Sequence, residues 1–94
     1  MRMIERSSAF KRDFKRIHSN PRHRGNIDAL LLMTIDLLVI DKVLPLKLRD
    51  HDLIGEWRGH RECHIKPDVL LIYKKPDPQL LLLARLGSHS DLFG

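Results

Sequence analysis

The sequence predicts an α+β domain in which two N-terminal helices pack on one face of a small antiparallel β-sheet. Phe10, Phe14 and Ile17 recur at i, i+4 and i+7, the spacing of one helical stripe. The run from Ala29 to Ile40 is apolar nearly throughout and is interrupted by Asp36. The last third holds two further apolar runs, Val69–Tyr73 and Leu80–Leu83. They are set off by Pro67-Asp68 and by Pro76-Asp77-Pro78, which read as tight turns between strands.

In chain order, residues 2–6 suit a short first strand. Ser7 or Ser8 can cap the helix that follows by accepting from its free N–H groups. Lys11, Arg12, Lys15 and Arg16 fill the face away from the Phe stripe. Asn20-Pro21 ends that helix. A second helix is expected from Pro21 or His23 to Ile40. From Leu30 onward it is apolar nearly all round, which predicts burial on more than one side: one against the sheet, the other against the first helix or a partner. The same run is too short and too charged to span a bilayer. Pro45 opens a loop through Leu53, and Gly55 and Gly59 bracket Trp57 at the entry to a strand. Strands are expected at 57–65, 69–75 and 79–86, joined by turns short enough to make them antiparallel neighbours. Leu80–Leu83 is apolar on both parities, as in a strand covered on both faces.

Ninety-four residues suit a single domain, 1–94. The chain is 43% hydrophobic but only 5% aromatic, so its core must be aliphatic. Cys63 is its one cysteine, which excludes an intrachain disulfide. With nothing resembling a signal peptide, this points to the reducing cytoplasm. The net charge of +5 is uneven: residues 1–25 carry eight Lys/Arg and two acids, whereas residues 49–94 carry seven of each sign. A basic N-terminal element attracts polyanions without reading sequence. Its plain alternative is a solvated helix face.

Chemistry concentrates in the C-terminal half. His64, Asp68, Arg85, His89 and Phe93 sit at the ends of the expected strands. Together they suit RNA cleavage without a metal: a base for the 2′-hydroxyl, an acid for the leaving oxygen, a guanidinium for the phosphate and a ring to stack on a base. Alternation puts Cys63 and His64 on opposite faces, gives His64 and Lys66 one parity, and gives Arg85, Gly87 and His89 one parity while the chain stays extended. Each residue has a structural alternative. His64 beside Glu62 could be a surface histidine, and Asp68 a turn residue. Arg85 on an apolar strand needs either a structural carboxylate or a bound anion. Phe93 could pin the tail. His18, His23 and His60 read as solvated, Cys63 as a small buried hydrophobe, and Trp57 as packing. His51, His64, Asp68 and His89 could instead ligate a metal, but none falls in a familiar ligand spacing, and no cofactor is expected.

Three segments together resemble the YafQ-type branch of the RelE/ParE toxin superfamily. They are Leu48-Arg49-Asp50-His51-Asp52-Leu53-Ile54-Gly55-Glu56-Trp57-Arg58-Gly59, Arg61-Glu62-Cys63-His64-Ile65-Lys66-Pro67-Asp68 with the Val69–Tyr73 run, and Arg85-Leu86-Gly87-Ser88-His89-Ser90-Asp91-Leu92-Phe93. Phe10–Arg16 fits the first helix of that family. The resemblance implies a bacterial toxin that cleaves messenger RNA in the ribosomal decoding site without a metal and is neutralised in a hetero-oligomer by a cognate antitoxin. It implies an active site of His51, His64, Asp68, Arg85, His89 and Phe93. Asp68 or His64 would be the base and His89 the acid, although these roles could be exchanged. Arg85, with Lys66, would steady the phosphate, and Lys11, Arg12, Lys15 and Arg16 would dock on ribosomal RNA. Val69 stands where relatives can carry a tryptophan, which bears on substrate preference. Two other readings remain: a gyrase-poisoning toxin on the same fold, which would not require the histidines, and a passive RNA-binding module, which would depend on the basic helix alone.

Overall fold

The computed structural model describes residues 1–94. Its elements are β1 (Met3–Arg6), α1 (Ser8–Ser19), α2 (Ile27–Val39), β2 (His51–Asp52), β3 (Arg61–Lys66), β4 (Val69–Asp77), β5 (Leu80–Gly87) and α3 (His89–Phe93). Single 3₁₀ turns occupy Leu46–Leu48 and Gly55–Trp57. One five-stranded sheet runs in the order β1-β5-β4-β3-β2. The pairs among β2, β3, β4 and β5 are antiparallel. β1 departs from the expected sheet by running parallel to β5, with Met3 opposite Leu80 and Arg6 opposite Leu83. A helix separates β1 from the rest of the chain, so no tight turn forces it antiparallel.

The main core forms where α1 and α2 cover one sheet face. It joins Phe10, Ile17, Ile27, Leu31 and Leu38 to Cys63, Ile65, Leu71, Tyr73, Leu81, Leu83 and Leu86. Burial first, and then the negative charges of Asp50 and Glu62, push the Cys63 thiol up to about 12. The other face carries a smaller cluster, Leu70, Ile72, Ala84 and Leu92, with Trp57 and Leu53 at its margin. Leu80–Leu83, expected to be covered on both faces, is fully covered on one: Leu81 and Leu83 are buried, while Leu80 and Leu82 are only half-buried.

Four expectations need correction. α2 starts at Ile27 rather than at Pro21 or His23, because Asn26 adopts a left-handed conformation (φ 57°) and residues 21–23 form a turn. Burial of α2 on a second side is not seen: Leu32, Met33 and Ile40 are exposed. The strand expected from Trp57 begins at Arg61, because Gly55–Trp57 coils into a 3₁₀ turn and Gly59 takes φ +90°. Trp57 packs edge-on against His60 at 5.1 Å, so His60 is half-buried rather than solvated.

The bare part of the β5 edge is sealed by side chains of α1. Beyond its pairing with β1, β5 presents three backbone groups that a strand would satisfy. Ser7 Oγ donates to Ala84 O at 2.7 Å, Arg16 Nη2 donates to Leu86 O at 3.1 Å, and Asp13 Oδ2 accepts from Leu86 N at 3.0 Å. Ser7 Oγ also caps α1 by accepting from Phe10 N at 2.9 Å. One helix thus supplies both a core stripe and an edge cover.

Candidate active site

The sheet face opposite α1 and α2 carries the chemistry in two rungs. His51, Glu62, Ile72 and Arg85 lie opposite one another across β2, β3, β4 and β5, and His64, Leu70 and Gly87 form the next rung. Side chains directly opposite one another in a ladder share a face. Cys63 points to the other face, as alternation predicts.

On the first rung, His51 Nδ1 donates to Arg49 O at 2.7 Å, because a carbonyl can only accept. Its Nε2 is then turned toward Glu62 Oε1, 3.9 Å away, and His64 Nε2 lies 3.7 Å from the same oxygen. Glu62 is 5% exposed. It is a carboxylate between two imidazoles that sequence reasoning treated only as a neighbour of His64. Its i, i+2 spacing from His64 was the available signal. The segment carrying His51 is anchored from behind. Asp50 accepts from Arg61 Nη2 at 2.7 Å and from the Tyr73 hydroxyl, and Arg61 Nη1 reaches Asp52 at 2.6 Å. Burial first, and then the Asp50 carboxylate, raise the Tyr73 hydroxyl above its ordinary range.

At the end of β5 the chain turns into α3 rather than fraying. Ser88 Oγ accepts from Asp91 N at 3.2 Å and Asp91 Oδ2 accepts from Ser88 N at 3.0 Å, a reciprocal cap. That bond, more than the nearby Arg16, holds the Asp91 carboxyl below its ordinary range. Because α3 begins here, strand parity no longer governs His89. Leu92 is buried on the sheet. His89 and Phe93, one turn apart, face each other at 4.9 Å and 45°.

The structure brings His64, Asp68 and His89 to one cleft of about 470 Å³, with Pro67, Leu70, Ser88 and Ser90 in its walls. His64 also borders a second cleft of about 460 Å³, against Leu30, Met33, Lys47 and Arg49. Asp68 comes from the β3–β4 turn, His64 from β3 and His89 from α3. Phe93 adjoins the first cleft through His89. His51 and Arg85 do not line it.

Arg85 has the structural carboxylate that its burial demanded. Its Nε donates to Asp13 Oδ2 at 2.7 Å and its Nη2 to Asp13 Oδ1 at 3.2 Å, across the sealed edge. Nη1 makes neither bond. Asp13 is 2% exposed and also accepts from Arg16 Nη1 at 2.8 Å. Burial alone would raise its carboxyl, but the bonds from Arg85, Leu86 N–H and Arg16 outweigh that and hold it below the ordinary range. Asp13 was passed over in the sequence because it sits inside a basic run.

Lys66 does not keep parity with His64. A bulge between them pairs Lys66 with Val69, a residue of the helix-side core. Its ammonium donates to His23 O at 3.1 Å and Gly25 O at 2.9 Å, tying the α1–α2 turn to β3. His23, expected to be solvated, is buried, with Nδ1 3.2 Å from Asp68 Oδ2. His18 is half-exposed and meets Asp28 at 2.8 Å. Lys11, Arg12 and Lys15 are exposed along α1, as is Arg16 in part. No three His, Cys, Asp or Glu side chains converge as a metal-ligand set. No helix is long and apolar enough to cross a membrane.

Residues 2–94 match the model of a family described as "Bacterial toxin of type II toxin-antitoxin system, YafQ". The chain is 41% identical over 95 residues to the mRNA interferase toxin YafQ of Escherichia coli K12, covering 99% of this chain and 97% of that protein. It superposes on the crystal structure of YafQ from E. coli BL21(DE3) with a TM-score of 0.86 at 37% identity, over 100% of both chains. It matches the toxin in the E. coli DinJ-YafQ toxin-antitoxin complex with a TM-score of 0.84 at 38% identity, over 99% of this chain and 98% of that one.

Proposed function

Because this chain belongs to the YafQ family of bacterial toxins of type II toxin–antitoxin systems, we propose that it is an mRNA interferase that cuts messenger RNA on the ribosome by metal-free acid–base chemistry. The observation that carries this reading is the convergence of His64, Asp68 and His89 on one open cleft of the sheet face opposite α1 and α2.

The reaction is an in-line displacement. The 2′-oxygen attacks the adjacent phosphorus, the P–O5′ bond breaks, and a 2′,3′-cyclic phosphate and a 5′-hydroxyl result. Asp68 or His64 takes the 2′-hydroxyl proton, and His89 delivers a proton to the departing O5′. Arg85 does not line the cleft, so its part in steadying the phosphate charge requires RNA that extends from the cleft to the N–H groups Asp13 leaves free. Asp13 fixes where that guanidinium points, so the phosphate meets a preset donor. Phe93, 39% exposed and packed on His89, offers a ring to a splayed base. His64 borders both clefts, which leaves room for a nucleotide on each side of the scissile phosphate. Glu62 orients His51 and His64. Lys11, Arg12 and Lys15 dock on ribosomal RNA. Lys66 acts by holding the α1–α2 turn. A cognate antitoxin binds this chain in a hetero-oligomer, as DinJ binds the E. coli relative, and the working compartment is the bacterial cytoplasm.

The test is mapping of messenger RNA 5′ ends in a translating extract, wild type against His89→Ala. New ribosome-dependent ends that vanish in the variant are expected. Intact messages with the wild type, in an extract that still translates, would reject the reading and favour a protein target.

A further inference from the structure

His23 is the only buried imidazole in the chain, at 7% exposure. It lies on the α1–α2 turn, far in sequence from the cleft. The turn is clamped on both sides of the ring. His23 N donates to Asn20 O at 3.0 Å, and Lys66 Nζ donates to His23 O at 3.1 Å and to Gly25 O at 2.9 Å. The clamp comes from β3, two residues beyond His64. Within this fixed frame, Nδ1 is buried without an aligned hydrogen-bond partner. The polar atom it faces is Asp68 Oδ2, at 3.2 Å. An unpaired buried ring nitrogen is unfavourable, and this one is aimed at a cleft carboxylate. Hydrogen bonds of catalytic groups are often misaligned in the empty enzyme and tighten around substrate. The charged groups around the ring come from three elements: Lys66 on β3, Asp68 on the β3–β4 turn and Asp91 on α3. Asp91 lies within the electrostatic reach of His23.

We propose that His23 is a positioning residue of the cleft, whose Nδ1–H closes on Asp68 when RNA is bound and holds that carboxylate in its working orientation. This rests on the ribonuclease reading for its consequence in catalysis, but not for the contact itself. His23 touches no reacting atom and acts through Asp68. The helical N-terminal half of the chain thereby contributes a second positioning group to the site, beside Asp13 at Arg85.

The test uses the full chain and two variants. His23→Phe keeps a ring of similar size and removes the donor. His23→Asn places an amide N–H near the position of Nδ1. A hydrogen bond to a charged group, realised in the transition state, is worth on the order of 10- to 100-fold in rate. His23→Phe is therefore expected to slow single-turnover cleavage on programmed ribosomes by at least about ten-fold while binding them as the wild type does, and His23→Asn to recover most of the loss. In an Asp68→Asn background, His23→Phe should cause no further fall. Wild-type speed in His23→Phe, no recovery in His23→Asn, or a full additional loss in the Asp68→Asn background would overturn the proposal. A second measurement needs no activity: imidazole ¹⁵N signals of the free protein. Asp68→Asn should shift the His23 ring nitrogens and leave those of His60 in place. An unchanged His23 spectrum overturns the contact. A wild type that cuts nothing but shows the coupled spectrum instead overturns the ribonuclease reading alone.

Discussion

Replacing Asp13 with alanine should cost more stability than any other single polar deletion in this chain, because four donors converge on one buried carboxylate. Leu86 N–H, buried on the sealed edge of β5, would lose its acceptor outright, at about 1–3 kcal/mol for an unsatisfied buried donor. Arg85 would lose both of its bonds to the carboxylate. Its side chain is a quarter exposed and that of Arg16 nearly half exposed, so water recovers much of the ionic part and roughly 1 kcal/mol is left to add. The total is about 2–4 kcal/mol. For a domain of this size 1 kcal/mol moves Tm by roughly 4–8 °C, so Asp13→Ala should melt more than about 8 °C below the wild type. Asp13→Asn keeps an oxygen for Leu86 N–H and should lose about 1 kcal/mol. The assay is urea unfolding of wild type, Asp13→Ala, Arg85→Ala and the double variant. If the Asp13 and Arg85 losses simply add, or if Asp13→Ala unfolds with the wild type, the edge-sealing role of this carboxylate is refuted.

Other outcomes follow from the same geometry. Asp13 and Asp91 both lie below the ordinary value of 3.8 in the folded chain. Their stabilisation is therefore full above about pH 4 and is lost as pH falls through the folded values. Asp13→Asn should flatten the acid limb of a stability–pH curve, and a wild type of constant stability down to about pH 2 would contradict this. A Cβ at Gly87 would stand 2.8 Å from Arg16 Nη2 and 3.1 Å from Asp91 Cβ, so Gly87→Ala should cost about 1–3 kcal/mol and depress cleavage by shifting α3; melting at the wild-type temperature would show the contact to be slack. Cys63, fully buried with its thiol at about 12, should resist iodoacetamide in the native protein and react only under denaturant. Rapid native labelling would place it elsewhere.

The local patterns in the sequence were legible wherever one periodicity governed one element. The Phe10-Phe14-Ile17 stripe lies on α1 and Pro67-Asp68 turns between β3 and β4, whereas β4 runs on through Pro76 and Asp77 and turns at Pro78-Gln79. Legibility failed where a long-range contact reset a local rule. The bulge after His64 turned Lys66 to the helix side, and no parity count on β3 can reveal a bulge that β4 dictates. Asp13 and His23 looked like ordinary members of a polar stretch. Their partners, Arg85 and Asp68, lie far along the chain, and only the closed sheet brings them together. Glu62 is the exception, since alternation alone puts it beside His64 on the site face.

The order of the strands has a consequence for when this protein becomes dangerous to the cell that makes it. β5 is the last strand in sequence, yet it lies between β1 and β4. Ser7 must find Ala84 across 77 positions of chain. Until β5 emerges, β1 has no partner and α1 has no edge to cover, and contacts of such long range form late. His89 and Phe93 follow β5 still later. On the proposed reading, a nascent chain is therefore harmless to the ribosome translating it, and the interval before β5 closes is a window in which an antitoxin can meet a toxin that has yet to assemble its cutting site.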